Sequence, residues 1–324
     1  MNDFIAPLGL RSPHTQSILN SSGLRGKFVG RRARVLLAAE EEWMLDGGNG
    51  VRLQGFLSRQ TGSSRGLVVL LHGWEGSSHS NYMLGTGARL FREGFDVFRL
   101  NFRDHGGTHH LNPGIFHSCR LDEVILALGD LQRRVGADRW QLAGYSLGGN
   151  FALRVARHGP ERGVRPAQAF AVCPVINPDN VLKAMENGPT FYEQYYVRKW
   201  SRSVRAKQAS FPDRYAYDEW FELPGLRART EFFATRYYDF GSLEAYLGGY
   251  SIGGERLREL DVPSTLLTSR DDPVCPESDL DLLPENRNLD VVLTRHGGHC
   301  GYLKNWKLES WAEDRISERF LAGA

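Results

Sequence analysis

Apolar residues in this chain fall into short unbroken runs, separated by stretches with helical spacing. Leu67–Leu71 reads LVVLL, the pattern of a strand buried on both faces of a parallel sheet. Phe95–Asn101, Trp140–Tyr145, Ala167–Cys173, Ser264–Ser269 and Leu289–Thr294 have the same character. Between them, Arg120–Arg134 puts Leu121, Val124, Ile125, Leu128 and Leu131 on one helical face. Alternating strand and helix predicts an α/β fold with a mostly parallel, doubly wound sheet. Two further strands are expected ahead of it. Val35-Leu36-Leu37 leads the first, Val51, Leu53, Gly55 and Leu57 alternate in the second, and Asp46-Gly47-Gly48-Asn49-Gly50 forms the hairpin turn. Residues 1–33 carry Pro7, Pro13 and the basic Arg25, Lys27, Arg31 and Arg32. They are expected to form an arm that wraps the core or stays mobile.

One segment breaks the alternation. Residues 178–260 hold 17 aromatics in 83 positions, nine Tyr, six Phe and two Trp, against 11% aromatics overall. The periodicity there is helical. The expected organisation is an α/β core of residues 34–177 and 261–324 with residues 178–260 inserted as a helical cap. An aromatic-rich cap suits the wall of a pocket for an acyl or alkyl group.

Gly144-Tyr145-Ser146-Leu147-Gly148 is a GxSxG motif. It follows the apolar strand Trp140–Tyr145 and precedes the helical stretch Asn150–Arg157, the strand–turn–helix setting of a nucleophile elbow. A serine hydroxyl needs a base to remove its proton, and in such folds the partners follow in the order Ser, Asp/Glu, His. Asp271-Asp272-Pro273 follows the strand Ser264–Ser269, and His296-Gly297-Gly298-His299 follows the strand Leu289–Thr294. Strand C-terminal ends are where sites form in open α/β sheets. Asp272 is preferred over Asp271, because Pro273 favours an extended residue before it. His299 is preferred over His296, because the two glycines before it let the loop arch toward the serine. The oxyanion hole is expected to use the backbone N–H of Leu147 and that of Trp74, in the loop His72-Gly73-Trp74-Glu75 after the strand Leu67–Leu71.

Charge and composition narrow the function. The chain of 324 residues has 40 Lys+Arg against 38 Asp+Glu, a net charge of +2. No large basic field suggests a nucleic-acid partner. No apolar run approaches the roughly 20 residues of a membrane span, and the first residues do not read as a secretory signal. The four cysteines, Cys119, Cys173, Cys275 and Cys300, lie far apart without a CxxC pair. They read as reduced thiols of a cytoplasmic protein, Cys300 serving packing. His105, His109, His110 and His117 are close in sequence, with His72 and His79 flanking the oxyanion loop. They lack carboxylates at metal-site spacing, so no metal is expected there. Arg198, Arg202 and Arg205 share one helical face, joined by Lys199 and Lys207. That face is either simply solvated or a site for anionic lipid headgroups or a carboxylated substrate, giving weak membrane-surface contact.

Several segments resemble the YheT-like branch of the α/β-hydrolases, a group of predicted serine esterases: Pro13-His14-Thr15-Gln16-Ser17, His72–Ser78, Asn101-Phe102-Arg103, Gly144–Asn150, Asp271-Asp272-Pro273 and Gly297–Gly301. The resemblance runs from the arm to the last strand. It implies the α/β-hydrolase fold, a triad of Ser146, Asp272 and His299, and no metal or organic cofactor. The chain departs from the branch at Asp104-His105-Gly106-Gly107, where a small or thiol residue is the norm, so His105 has no role assigned. The expected activity is hydrolysis of carboxylic esters, acyl or lipid-like, on a small-molecule substrate. An acyltransferase or thioesterase would use the same triad, and a binding protein that lost catalysis would retain only the fold.

Overall fold

A computed structural model describes residues 4–137 and 139–323. Its strands are β1 (Glu40–Asp46), β2 (Arg52–Ser58), β3 (Leu67–Leu71), β4 (Asp96–Leu100), β5 (Trp140–Tyr145), β6 (Gln168–Val172), β7 (Ser264–Ser269) and β8 (Leu289–Thr294). They form one sheet in the order β1-β2-β4-β3-β5-β6-β7-β8. β2 pairs antiparallel with β1 and with β4, and every other neighbouring pair is parallel. The helices are α1 (Pro13–Asn20), α2 (Gly23–Arg32), α3 (Arg34–Ala38), α4 (Asn81–Arg92), α5 (Leu121–Val135), α6 (Leu147–His158), α7 (Pro178–Asn187), α8 (Thr190–Ser210), α9 (Asp218–Glu222), α10 (Gly225–Arg236), α11 (Leu243–Tyr250) and α12 (Trp311–Ala322).

The apolar run of β3 has a direct explanation. Val68 and Leu70 pack against Met83 and Leu90 of α4 and Ile316 and Phe320 of α12. Leu67, Val69 and Leu71 pack against Val124 and Leu128 of α5 and Phe151 and Val155 of α6 on the other side. Both faces are covered, so alternation disappears. Each fully buried Leu or Val gains about 1.5–3 kcal/mol over an exposed one.

The structure corrects the first expected strand. Val35-Leu36-Leu37 lies in α3, where Leu36 is buried at 1% exposure and Val35 is 69% exposed. Three consecutive apolar residues fit a short helix and a strand equally well. The strand before the hairpin is β1, beginning Glu40-Glu41-Glu42, and it forms the sheet edge with most positions partly or fully exposed. An edge that faces water tolerates residues that otherwise disfavour strands.

The arm forms α1 and α2 and is tied to residues late in the sequence. Gln16 is buried; its Nε2 donates to the carbonyls of Leu10 (2.7 Å) and Leu303 (3.2 Å), and its Oε1 accepts from the Leu303 N–H (2.6 Å). Buried Arg25 pairs with Glu313 of α12 at 2.5 Å. Between β6 and β7 the chain forms helices α7–α11, whose aromatics make their own apolar cluster with Ile115, Val175 and Val274. Among the described residues, no helix is long and apolar enough to cross a membrane.

Candidate active site

Ser146 sits between β5 and α6 with φ 53° and ψ −118°. A non-glycine residue there is strained by about 1–3 kcal/mol. Its surroundings enforce the turn: the Ser146 N–H donates to the Val172 carbonyl of β6 (2.8 Å), and the helix begins at the very next residue. The flanking glycines are required by close approach. A Cβ on Gly144 would lie 2.1 Å from the Gly148 carbonyl oxygen, and one on Gly148 would lie 2.3 Å from that of Leu71.

Three loops at the C-terminal ends of β5, β7 and β8 bring Ser146, Asp272 and His299 together. Ser146 Oγ is 2.9 Å from His299 Nε2, and His299 Nδ1 is 2.9 Å from Asp272 Oδ2. Asp272 is held from behind: its Oδ1 accepts from the N–H groups of Val274 (2.8 Å) and Cys275 (3.0 Å). Asp271 stands apart. Its Oδ2 meets His296 Nδ1 at 3.1 Å, and its Oδ1 accepts from the Gly298 N–H at 2.9 Å. The two Asp–His pairs are thus separate, and only one reaches the serine. An imidazole between a hydroxyl and a carboxylate, in this order, is able to take the hydroxyl proton while the carboxylate stabilises the resulting cation.

The expected oxyanion donors also lie here. Trp74 and Ser146 border the same cavity, and Leu147 is the first residue of α6. The N–H groups around Trp74 are all engaged: Gly73 with the Tyr82 hydroxyl (3.0 Å), Glu75 with His105 Nε2 (3.2 Å), Gly76 with the Gly73 carbonyl (3.0 Å). Those of Trp74 and Leu147 have no hydrogen-bond partner among the described residues.

Sequence reasoning missed what holds these loops. His72 Nδ1 donates to its own loop's Gly73 carbonyl (2.7 Å), and its Nε2 accepts from the Phe102 N–H in the loop after β4 (3.2 Å). His105 reciprocates, with Nδ1 on the Arg103 carbonyl (2.7 Å) and Nε2 on the Glu75 N–H. The two loops are cross-stitched by two neutral rings, and His105 acquires a role. Helix α8 adds Lys199, whose Nζ donates to the Glu75 carbonyl (2.7 Å), so both backbone groups of the residue after Trp74 are pinned. From the arm, Ser17 Oγ accepts from the His299 N–H (2.8 Å). These partners lie far apart in sequence and lack any periodic signature; Pro13–Ser17, His72–Ser78 and Asn101–Arg103 stood out only through their resemblance, and His105 and Lys199 not even so.

Burial pushes the His72 ring down to about 4 and the His105 ring well below the usual imidazole range. The unfolded chain protonates such rings near about 6.5. Their contribution to stability is therefore whole above that pH and is lost as pH falls from there toward the folded values. The slope is about 1.4 kcal/mol per pH unit for each ring. Thermal melts are expected to show Tm falling as pH drops from about 6.5 toward 4.5; a flat profile would contradict neutral, stitched histidines.

Among the described residues, two donor groups have metal-like spacing, Cys173-His299-Cys300 and Asp272-Cys275-His299, each within 4.8 Å. His299 is already engaged by Ser146 and Asp272, and burial pushes all three thiols up, which favours protonated sulfur. The loop histidines are dispersed: His109 meets Ser203 (2.7 Å), His79 meets Glu40 (3.6 Å), and His117 packs among Tyr238, Phe240 and Tyr246.

Two cavities meet at Ser146. The outer one, about 650 Å³, is lined in part by the exposed side chains of Ile18, Phe191, Tyr195 and Arg198. The inner one, about 90 Å³, is walled by Val175, Leu182, Met185, Trp200, Tyr246 and Leu247. Trp74, Tyr196 and Val274 border both. Trp74 stacks on Tyr196 of α8 at 5.3 Å.

An open, mostly parallel α/β sheet with a strained serine at a strand–helix turn defines a class, and the alpha/beta hydrolase family model matches residues 68–308. The chain belongs to that family. Within it the chain is YheT-like: it is 26% identical to YheT of Escherichia coli (strain K12) over 266 residues, 78% of this chain and 75% of that one. It is also 23% identical to the phospholipase ABHD3 of Bos taurus over 265 residues, covering 80% of this chain but 64% of the relative. Among solved structures, the esterase Pf2001 of Pyrococcus furiosus superposes with TM-score 0.56 at 15% identity, covering 99% of this chain and 97% of that one. The carboxylesterase CesB of Bacillus subtilis superposes with TM-score 0.53 at 15% identity, covering 93% and 97%.

Proposed function

We propose that this protein is a serine hydrolase that cleaves carboxylic esters of apolar acyl groups through an acyl-enzyme. The observation that carries the reading is the hydrogen-bonded chain from Ser146 Oγ through His299 to Asp272. Ser146 attacks the ester carbonyl as His299 takes its proton. The Leu147 and Trp74 N–H groups receive the oxyanion, each worth about 3 kcal/mol. His299 then protonates the departing alcohol, and water releases the acyl group by the same steps in reverse. The esterase and phospholipase names among the relatives and structural neighbours agree with this chemistry.

In this reading the two cavities divide the substrate. The compact apolar inner cavity takes the acyl chain, and the wide outer cavity takes the alcohol. A fluorophosphonate probe should label Ser146. A panel of nitrophenyl esters of increasing acyl length should show a preferred length, with thioesters and added acceptor alcohols separating thioesterase and acyltransferase activity. Filling the inner cavity by Leu182→Trp or Met185→Trp should shift the preference to shorter chains. Each methylene denied burial costs about 0.8 kcal/mol, or about fourfold in kcat/KM. An unchanged chain-length profile in both folded variants would place the acyl group elsewhere.

A further inference from the structure

Helix α8 has two faces of opposite use. Tyr192, Trp200, Val204 and Lys207 point inward and are buried. Phe191, Tyr195, Arg198, Arg202 and Arg205 recur every three or four residues, so they form one stripe along the helix, and all five are exposed. The stripe is graded: two aromatics, each 41% exposed, occupy the first turns, and three arginines follow. Ion pairs here are made by Lys207 on the inward face of α8 and by Lys183, Arg227 and Arg236 of the neighbouring helices. Arg198, Arg202 and Arg205 make none among the described residues; Arg205 lies over the Phe221 ring at 4.5 Å.

The stripe begins on the exposed wall of the outer cavity. Phe191, Tyr195 and Arg198 line that cavity together with Ile18 of α1, which is 52% exposed. Exposed apolar side chains on the wall of a cavity that reaches Ser146 leave unpaired apolar surface in water. Unpaired arginines beside them add a positive potential. Aromatic side chains with adjacent cations suit the boundary between headgroups and acyl chains, and arginines suit the negative charge of anionic lipids.

We propose that this stripe of α8, with Ile18, docks the protein on a membrane surface that carries anionic lipid. That wall then faces the bilayer, and an apolar ester passes into the outer cavity without crossing water. This last point rests on the reading of Ser146 as the working centre; the docking itself does not.

The test uses the full chain carrying Ser146→Ala, so that lipid is not consumed. Binding is measured by co-sedimentation with vesicles of phosphatidylcholine alone and of phosphatidylcholine mixed with phosphatidylglycerol. Docking is expected on the anionic vesicles, weakening as salt rises. The double reversal Arg202→Glu, Arg205→Glu should weaken it at least about tenfold. Phe191→Ala with Tyr195→Ala should weaken it further at high salt, where the apolar part remains. Equal binding to both vesicles, no binding, or indifference to the arginine reversal would overturn the proposal. Release by inorganic phosphate beyond that by chloride of equal ionic strength would also overturn it, marking a site for a free anion. In the chain with Ser146 intact, the Arg202→Glu, Arg205→Glu variant should hydrolyse a short soluble nitrophenyl ester at the unmodified rate. A chain that docks but hydrolyses no ester would sink the esterase reading and leave the docking standing.

Discussion

Ser146→Ala is expected to lower kcat on a nitrophenyl ester by about 10⁶-fold while the protein stays folded. The size follows from the site's arrangement. His299 Nε2 has no other hydroxyl partner among the described residues, and Ser146 Oγ is its neighbour at 2.9 Å. In the proposed mechanism, removing that oxygen removes the covalent step, and the remaining N–H donors only orient the ester. Folding should be little changed. Alanine keeps the Cβ and the backbone strain of serine at φ 53°, and the turn is held by the Ser146 N–H and two glycines rather than by the hydroxyl. The melting temperature should stay close to that of the parent chain. Residual activity above about one percent in a preparation free of contaminating esterase would remove Ser146 from the reaction.

The second large effect discriminates between two adjacent carboxylates. Asp272→Asn should reduce kcat by about 10⁴-fold, because it removes the charge that stabilises the imidazolium and leaves an amide able to select the wrong tautomer. Asp271→Asn should cost less than about tenfold, since its partners are His296 and the Gly298 N–H rather than the ring that meets the serine. Asparagine retains an oxygen for that N–H. Measured side by side on one substrate, equal losses in the two variants would mean that the loop as a whole, and not the Asp272 charge, is what the reaction needs.

The residues of this site differ in how far the sequence reveals them. The serine turn is a local device: a run buried on both faces, two glycines demanded by backbone approach, and a helix that starts at once. All three leave marks within a dozen residues. The Asp272 loop and the His299 loop are similarly marked, each by its place after a strand and by the proline or glycines beside it. β1 was hidden because an edge strand beginning with three glutamates carries no apolar pattern, and α3 because three apolar residues in a row have no period. The stitch between His72 and His105, the Lys199 contact with the Glu75 carbonyl, and the Ser17 support of His299 depend on which loops end up adjacent. No local spacing encodes that adjacency, so His105 was visible only as a histidine without a role, Lys199 as part of a charged helix face, and His72 and Ser17 as members of segments that resemble a family.

The Ser17 contact bears on how the protein is made. Ser17 and His299 are separated by 282 residues, and Gln16 and Leu303 by 287. Gly298, at φ 56°, admits the first helix so closely that a Cβ there would lie 2.4 Å from the Pro13 carbonyl oxygen. The segment around Ser17 therefore waits for a partner made 282 residues later before either reaches its native setting. Such long-range closure is slow relative to local helix formation. A nascent chain that already holds Ser146 in its turn is still without the His299 loop, although all eight strands of the sheet precede that loop in the sequence. In the proposed mechanism, the order in which the chain emerges thus keeps Ser146 without its base until synthesis has passed His299.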